Sequence, residues 1–250
     1  MGAVEQDELD RLRRQIAVLS GRPDHRSVDV RDRSEDVLAV PSALADVLPR
    51  RGITRGGVTT VSGARSVLLA MIATVSSAGA HVGIVGMGNL NLEAIVEWGG
   101  DLSRIATVPE PGVDPIEVAT VLLDGMDLVV LGMAGITVPP SRARVVMGRV
   151  RKQCSTLLTD ARWPGAQLRV DAEVLSYRHV PGAPDDADLA VARPGYGRIG
   201  GMSLQVTAID RGQRRRTGDI DVVAGDFGGR TRLQLVAAPP RPELGWAVAN

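Results

Sequence analysis

The sequence has no net charge, few aromatic side chains and a single cysteine, and each shortage removes a class of function. Its 250 residues carry 29 basic and 29 acidic side chains, so no overall positive field exists to wrap a nucleic acid. Aromatic residues make up 2% of the chain, which leaves few rings on which bases could stack. The lone Cys154 and three scattered histidines exclude an intramolecular disulfide and a cysteine-based zinc site, and they indicate a reducing, cytosolic setting.

Lysine is almost absent, because Lys152 is the one lysine and every other basic residue is arginine. Apolar residues reach 44%, which is enough for a packed core. The charged start of the chain lacks the apolar segment of a signal peptide. Residues 67–88 are nearly free of charge, but the break at Ser76–Gly79 predicts a buried helix followed by a buried strand rather than a membrane span. We therefore expect a soluble protein that does not enter a membrane.

The two ends of the chain differ from its middle. Residues 1–36 are expected to form an arm, with an amphipathic helix over 4–20 and a polar linker over 21–36. The apolar stripe of that helix consists of Leu9, Leu12, Ile16 and Leu19. It packs either on its own domain or on a partner. Residues 238–250 form a Pro-rich tail in which Trp246 lies within a candidate docking peptide.

Residues 37–160 alternate between short apolar runs and helical stretches. The runs are predicted to be buried strands, at 58–62, 82–87, 105–109, 128–133 and 156–159. The stretches between them are predicted to be helices, near 41–48, 66–78, 91–98, 115–124 and 141–153. Strands that are apolar on both faces and are joined by helices indicate an α/β fold, with a mostly parallel sheet covered by helices on both faces.

Residues 161–237 change to alternating apolar and polar positions, which indicates antiparallel strands that are buried on one face. These strands are predicted at 166–177, 202–209, 219–225 and 231–237. A long Gly- and Pro-rich loop is expected over 181–201. An arginine cluster at the tip of a hairpin could neutralise DNA phosphates, or could simply be solvated, and it consists of Arg211, Arg214, Arg215 and Arg216.

The turn after the strand at 58–62 stands where a phosphate loop would be found. A working loop needs several glycines, then lysine, then serine or threonine for magnesium. Here the turn has one glycine and no lysine, and it reads Gly63, Ala64, Arg65, Ser66. Arg65 could still meet an anion at the helix N-terminus, but a plain structural turn is the simpler interpretation.

Two further strand ends are candidates for a nucleotide site. Gly86 and Gly88 open a dinucleotide-type pattern, with Glu110 about 20 residues on, but Asn91 stands at its third glycine position. The strand at 128–133 would end in an acid in a nucleotide hydrolase, whereas here it ends in Leu131, Gly132 and Met133. These residues predict no cofactor and no metal, and a nucleotide- or dinucleotide-binding enzyme with a degenerate phosphate loop stays as an alternative.

Several runs, taken in order, resemble a RecA core over residues 37–237. They are LPRRGITRGGVTTVSG, VGIVGM, LEAIVEWGGDLSRIATVPE and MDLVVLG, followed by AQLRVDAEVLSYR and SLQVTAID. The chain is most similar to the RecA-like accessory proteins of bacterial mutagenesis cassettes, namely ImuA and the actinobacterial ImuA-prime of the SulA superfamily. The high arginine, alanine, glycine and valine content fits such a source.

The resemblance implies a RecA-like domain that has lost its ATP chemistry. The phosphate-loop lysine and threonine of RecA would fall at Arg65-Ser66, its catalytic glutamate near Gly88-Asn89, and its Walker B aspartate at Gly132 or Met133. Hydrolysis needs phosphate charge neutralised, magnesium held and water oriented together. The resemblance therefore predicts a pseudo-ATPase, that is, a protein that is not an enzyme.

The resemblance also implies partners and a cellular place. Such proteins work in translesion synthesis after DNA damage, beside an ImuB-type Y-family polymerase homologue and an error-prone DnaE-type polymerase, in the cytoplasm at the nucleoid. RecA-like domains associate through an N-terminal segment, so the arm at 1–36 is expected to bind a partner, or this core receives such a segment from the partner. A homo-oligomer and direct DNA contact remain open. A SulA-like cell-division inhibitor is a further alternative.

Overall fold

The computed structural model describes residues 37–133, 135–180, 198–227 and 230–239. The described helices are α1 (Ser42–Val47), α2 (Arg65–Ser77), α3 (Leu92–Glu97), α4 (Pro115–Leu122) and α5 (Pro140–Lys152), with one 3-10 turn at Leu102–Arg104. The described strands are β1 (Val37–Leu38), β2 (Ile53–Thr54), β3 (Val58–Gly63), β4 (Val82–Val85), β5 (Ile105–Val108), β6 (Leu128–Leu131), β7 (Thr156–Thr159), β8 (Leu168–Val180), β9 (Arg198–Asp210), β10 (Arg215–Phe227) and β11 (Arg230–Ala237).

Nine of these described strands form one sheet, in the order β11-β10-β9-β8-β3-β7-β6-β4-β5. The pairs from β8 to β5 are parallel, and the pairs from β8 to β11 are antiparallel. The first long strand, β3, lies between β7 and β8 and not at an edge. The short strands β1 and β2 pair with each other in a separate antiparallel ladder.

The parallel strands are buried on both faces, as their uninterrupted apolar runs predict. In β6, Leu128 and Val130 belong to one apolar cluster, whereas Val129 and Leu131 belong to the other. Helices α1, α2 and α3 contribute to the first cluster, and α4 and α5 contribute to the second. The prediction of helices on both faces of a mostly parallel sheet is therefore confirmed.

The antiparallel part is covered by helix on one face. In β9, Leu204, Val206 and Ala208 are buried in the cluster that contains α1 and α2. The alternate residues are polar, and Thr207 is paired through its hydroxyl with Thr217 on β10 at 3.2 Å. Helix α1 packs on β9, β10 and β11, and it comes so close that a Cβ at Gly218 would lie 2.6 Å from Val47 Cγ2. This alternation is the one that the sequence predicts.

An ion pair ties the parallel strands together at their amino ends. Arg55 Nη1 donates to Asp127 Oδ1 at 2.9 Å, and the backbone N–H of His81 donates to Asp127 Oδ2 at 2.9 Å. The side chains of Arg55 and Asp127 are 15% and 12% exposed. Because a part-buried charge is costly without a partner, this pair fixes the segments before β3, β4 and β6 relative to one another.

The predicted boundaries differ from the observed ones in a few places. Residues 198–201, which the sequence places in the long loop, form the start of β9, where they pair with the end of β8. The β1–β2 ladder and the 3-10 turn lack a recognisable pattern, because two or three residues are too few to show a period. The predicted arm and linker at 1–36, the loop residues 181–197 and the tail from residue 240 lie outside the described residues.

Candidate functional site

The carboxyl ends of the parallel strands are the first place to look for a site in an α/β sheet. At the end of β3, a single residue, Ala64, separates the strand from α2. Its backbone N–H donates to the carbonyl of Ala172 on β8 at 2.8 Å. Gly63 has a φ of +85°, and a Cβ there would lie 1.9 Å from the same carbonyl oxygen. The N–H of Ala64 and the backbone of Gly63 are thus both engaged by β8.

The two residues after Ala64 are also engaged within the protein. The exposed Arg65 donates from Nη1 to Asn89 Oδ1 at 3.1 Å, and Ser66 Oγ lies 4.0 Å from the sulfur of Met202. The resemblance assigns Arg65 to the phosphate-loop region and Asn89 to the neighbourhood of the catalytic glutamate. The structure joins these two positions by a hydrogen bond.

The glycines after β4 have a packing role. Gly86 has a φ of +72°, and a Cβ there would lie 2.6 Å from the carbonyl oxygen of Gly132. A Cβ at Gly132 would lie 2.7 Å from Met87 Cγ. The ends of β4 and β6 therefore approach too closely for side chains, and Asn91 caps α3 by accepting from the backbone N–H of Glu93. This packing accounts for Gly86 without a ligand, whereas a Cβ at Gly88 would meet its nearest atom, in Pro109, at 3.7 Å.

The end of β6 is held by a carboxylate from the end of β7. Met133 is fully buried, and its backbone N–H donates to Asp160 Oδ1 at 2.9 Å. In the resemblance, the Walker B aspartate falls at Gly132 or Met133, where this structure has a close backbone contact and a buried thioether. Among the described residues, no group of three or more histidine, cysteine, aspartate or glutamate side chains could hold a metal ion.

An open groove of about 1030 Å³ lies at the same edge of the sheet, beside β7 and β8. Its walls come from the ends of β3 and β7, from residues 135–138 and 160–166, from β8, and from the turn between β9 and β10. Three of its side chains are arginines, Arg162, Arg169 and Arg211.

The acidic and the basic side chains of this groove differ in whether other residues bind them. The carboxylates of Asp160, Asp171 and Asp210 accept hydrogen bonds from Met133, Ser62 and Arg214, respectively. Arg162, Arg169 and Arg211 form no ion pair with any described side chain. The three guanidinium groups are thus available to an anionic ligand.

The arginine cluster lies at a hairpin, as predicted. Arg211 and Arg214 are in the turn between β9 and β10, whereas Arg215 and Arg216 are the first residues of β10. All four are exposed, and of the four Arg211 lines the groove. Leu9, Leu12, Ile16 and Leu19, the predicted partner-binding stripe, lie outside the described residues.

The groove includes two arginines that the sequence patterns do not single out. Arg162 lies in the loop after β7, and Arg169 is on the polar face of β8. Each is a single charge within an ordinary segment, so no local motif marks it. Arg169 can be assigned to the groove only once the strand order places the polar face of β8 near the end of β7.

A second charged arrangement links α4 and α5. Arg142 on α5 pairs with Asp114, the residue that caps the N-terminus of α4. This hydrogen bond, together with that from the backbone N–H of Glu117, holds the pKa of Asp114 below its ordinary value. At the other end of α5, Arg149 Nε donates to Asp124 at 2.7 Å, which raises the pKa of the guanidinium. These pairs hold the two helices side by side.

None of the described helices is both long and apolar enough to span a bilayer. Residues 46–165, which contain α2 to α5 and β2 to β7, match the family model described as the MT3502 N-terminal domain. The chain is 44% identical over 208 residues to Rv3395c, an uncharacterized protein of Mycobacterium tuberculosis (strain ATCC 25618 / H37Rv), and the match covers 82% of this chain and 93% of that protein. The chain therefore belongs to the family of Rv3395c.

Proposed function

We propose that the protein is a catalytically inactive RecA-like accessory protein of a translesion synthesis complex induced by DNA damage. In this proposal it acts in the cytoplasm, at the nucleoid, where it binds an ImuB-type Y-family polymerase homologue and supports an error-prone DnaE-type polymerase. The sequence runs described above carry the resemblance. The position of β3 between β7 and β8, with later strands added antiparallel beyond β8, supports it.

The hydrogen bond between Arg65 and Asn89 carries the proposal of inactivity. Both residues lie where the resemblance places groups that handle ATP, and they contact each other. The backbone before them contacts β8, so it does not offer converging N–H groups to a phosphate. A fold that resembles that of an ATPase does not by itself supply the activity, which depends on the side chains of the site.

The first experiment is titration calorimetry of the full chain with ATP, ADP and NAD, each with magnesium. We expect no saturable heat up to about 1 mM nucleotide. A dissociation constant above about 1 mM corresponds to a binding free energy smaller than about 4 kcal/mol. A nucleotide-binding protein titrated in the same buffer is the positive control. Saturable ATP binding with turnover would overturn the proposal of inactivity, and binding of NAD would favour the dinucleotide-dependent alternative.

The second experiment tests assembly. The double variant Leu12→Asp, Ile16→Asp places charge in the apolar stripe of the arm, so it should abolish co-purification with the ImuB-type protein if the arm is the contact. Val113→Asp is the matched control, because this valine is fully exposed in the described domain. Unchanged co-purification of the double variant would exclude the arm, and capture of the cell-division protein FtsZ instead of the ImuB-type protein would favour the SulA-like alternative.

The groove favours a second activity, which is binding of single-stranded DNA. Its three arginines have no ion-pair partner among the described side chains, and Arg214, Arg215 and Arg216 follow in the adjoining hairpin. Arginines that bind phosphates release counterions, so affinity should fall as salt rises. Such binding would place the accessory protein on the strand that the polymerases copy.

Fluorescence anisotropy with a labelled oligonucleotide tests this binding. Changing Arg169 and Arg211 to alanine should weaken the affinity about tenfold and lower the salt slope by about 2, because each guanidinium neutralises about one phosphate. Arg51→Ala is the control, because Arg51 is exposed and already paired with Asp46. Equal affinity and salt slope for all three proteins would exclude the groove as the DNA site.

A further inference from the structure

Opposite charges lie side by side on the outer surfaces of α4 and α5. Helix α5 has five basic side chains and no acidic one: Arg142, Arg144, Arg149, Arg151 and Lys152. Helix α4 has an acid in its first turn, Glu117, and is flanked by Asp114 and Asp124. The balanced net charge of the chain conceals this local separation.

Ion pairs between the two helices involve some of these charged side chains and not others. Arg142 and Arg149 are engaged by Asp114 and Asp124. Exposed Arg144 on α5 and exposed Glu117 on α4 form no ion pair with any described side chain. Arg151 and Lys152 are in the last turn of α5, where they stabilise the helix dipole, but Arg144 is not in that turn and has no such role.

Apolar and small residues separate these two charges. Val121 on α4 is 65% exposed, and Val145 on α5 is 72% exposed. Gly148 lies one turn beyond Arg144, and a Cβ there would have no atom within 4 Å. We call the surface formed by Glu117, Val121, Arg144, Val145 and Gly148 the α4–α5 face. Helical spacing places Val121 beside Glu117 on α4 and Gly148 beside Arg144 on α5, so the face combines an acid, apolar and small residues, and a base.

We propose that the α4–α5 face binds the same face of a second copy of this chain. Around a two-fold axis each contact occurs twice, so a surface that carries both charges can complement itself. Glu117 of each copy then meets Arg144 of the other, and the valines pack in the centre against the space left by Gly148. This inference does not depend on the proposed role in translesion synthesis.

A nucleic acid fits the same face poorly. Phosphates attracted to Arg144 would also approach Glu117, whose carboxylate forms no ion pair with a described side chain and repels them. A copy of the chain brings an acid to the base and a base to the acid. The charge pattern thus favours a self-complementary partner over a polyanion.

The size of the face predicts weak association. Helix α5, with 13 residues, is about 20 Å long, and packed helices lie about 10 Å apart. Two helices side by side are about 20 Å wide, so each copy offers about 400 Å² and the dimer buries about 800 Å², which is below the roughly 1,000 Å² of a stable interface and fits a weak, transient one. The dimer should form at high protein concentration and dissociate on dilution.

Sedimentation velocity of the full chain over a range of concentrations tests the proposal. Glu117→Arg and Arg144→Glu should each weaken dimerisation about tenfold, because each creates two like-charge contacts across the two-fold axis. The double variant Glu117→Arg, Arg144→Glu should restore it, since the charges are exchanged and the pairs re-form. Glu93→Arg and Arg50→Glu, which change exposed charges outside the face, are the matched controls and should dimerise like the unchanged protein.

Val145→Asp provides a second measurement, since it places a charge in the apolar part of the face without touching either ion-pair partner. It should also weaken dimerisation, and circular dichroism should show an unchanged fold because Val145 is exposed. A protein that stays monomeric at all concentrations would overturn the proposal, as would a dimer that is insensitive to these three single changes. Loss of DNA binding rather than of dimerisation in Arg144→Glu would assign the face to nucleic acid instead.

Discussion

Two places on the carboxyl edge of the sheet differ in what fills them. At the ends of β3, β4 and β6, backbone meets backbone, with Gly63 against Ala172 and Gly86 against Gly132. Beside β7 and β8, the edge opens into the groove, whose walls carry charged side chains. The groove lies at the edge where ligands bind in sheets of this kind, whereas the turn after β3, where sequence patterns direct attention, is filled by backbone contacts.

The two places differ in how readily their residues could be substituted. The closed part depends on glycines whose positions no side chain can occupy, so it can open only if strands move. The groove is lined by side chains, and these can be exchanged without disturbing the backbone. The lining of the groove can therefore change while the turn after β3 stays as it is.

The largest effect is expected from Gly63→Ala. A Cβ there would meet the Ala172 carbonyl at 1.9 Å, and the residue has a φ of +85°. The clash and the unfavourable backbone conformation together should destabilise the fold by about 3 kcal/mol or more. Urea denaturation of the purified variant, or its failure to accumulate as soluble protein, measures this.

Gly79→Ala is the control for backbone conformation alone. Gly79 has a φ of +93°, but a Cβ there would have no atom within 4 Å. The free energy of unfolding should fall by about 1 kcal/mol, which is the cost of the left-handed conformation without a clash. Equal losses of stability in the two variants would show that the end of β3 is not closed by β8.

The strands and helices around both places can be predicted from the sequence, because each element shows its own periodic pattern of apolar residues. The apolar run at 128–131 and the alternation at 202–209 contain the information for their burial within a few residues. The closure at Gly86 cannot be predicted in this way, because it depends on Gly132, which is 46 residues away and becomes its neighbour only when β4 and β6 pair. The glycines themselves give a signal there, which resembles the opening of a dinucleotide motif and does not indicate the contact with Gly132.

The groove is missed by sequence patterns for a related reason. Arg162, Arg169 and Arg211 come from a loop, a strand and a hairpin turn, and no spacing connects them. The hairpin cluster is recognisable because its arginines are consecutive or nearly so. Sites assembled from single residues of distant segments require the strand order first, and that order follows from long-range pairing.

A smaller effect is expected where the two places meet, at Asp160. Its carboxylate lines the groove and accepts the backbone N–H of buried Met133 at the end of β6. Asp160→Ala leaves that N–H without an acceptor and should lower the free energy of unfolding by about 1–2 kcal/mol. Asp160→Asn keeps an acceptor oxygen and should lose less than about 1 kcal/mol. Thermal denaturation of both variants checks the order, and equal losses of stability would mean that the charge, rather than the hydrogen bond, holds the edge.

The smallest effect is expected at Asp114, where an exposed ion pair rather than backbone packing joins α4 to α5. Arg142 and the Glu117 N–H lower the pKa of this carboxyl from its ordinary 3.8, so its stabilising effect is complete above that pH and is lost as the pH falls through the folded-state value. Asp114→Asn keeps the cap but removes the charge, so this variant should be slightly less stable than the unchanged protein near neutral pH. The two stabilities should converge in acid, and urea denaturation at several pH values measures this.

Asp46→Asn, at an ion pair with side chains 61% and 71% exposed, is the control and should change stability little at any pH. A difference for Asp114→Asn that persists unchanged below pH 3.8 would show that the amide disturbs the cap of α4 rather than the ion pair.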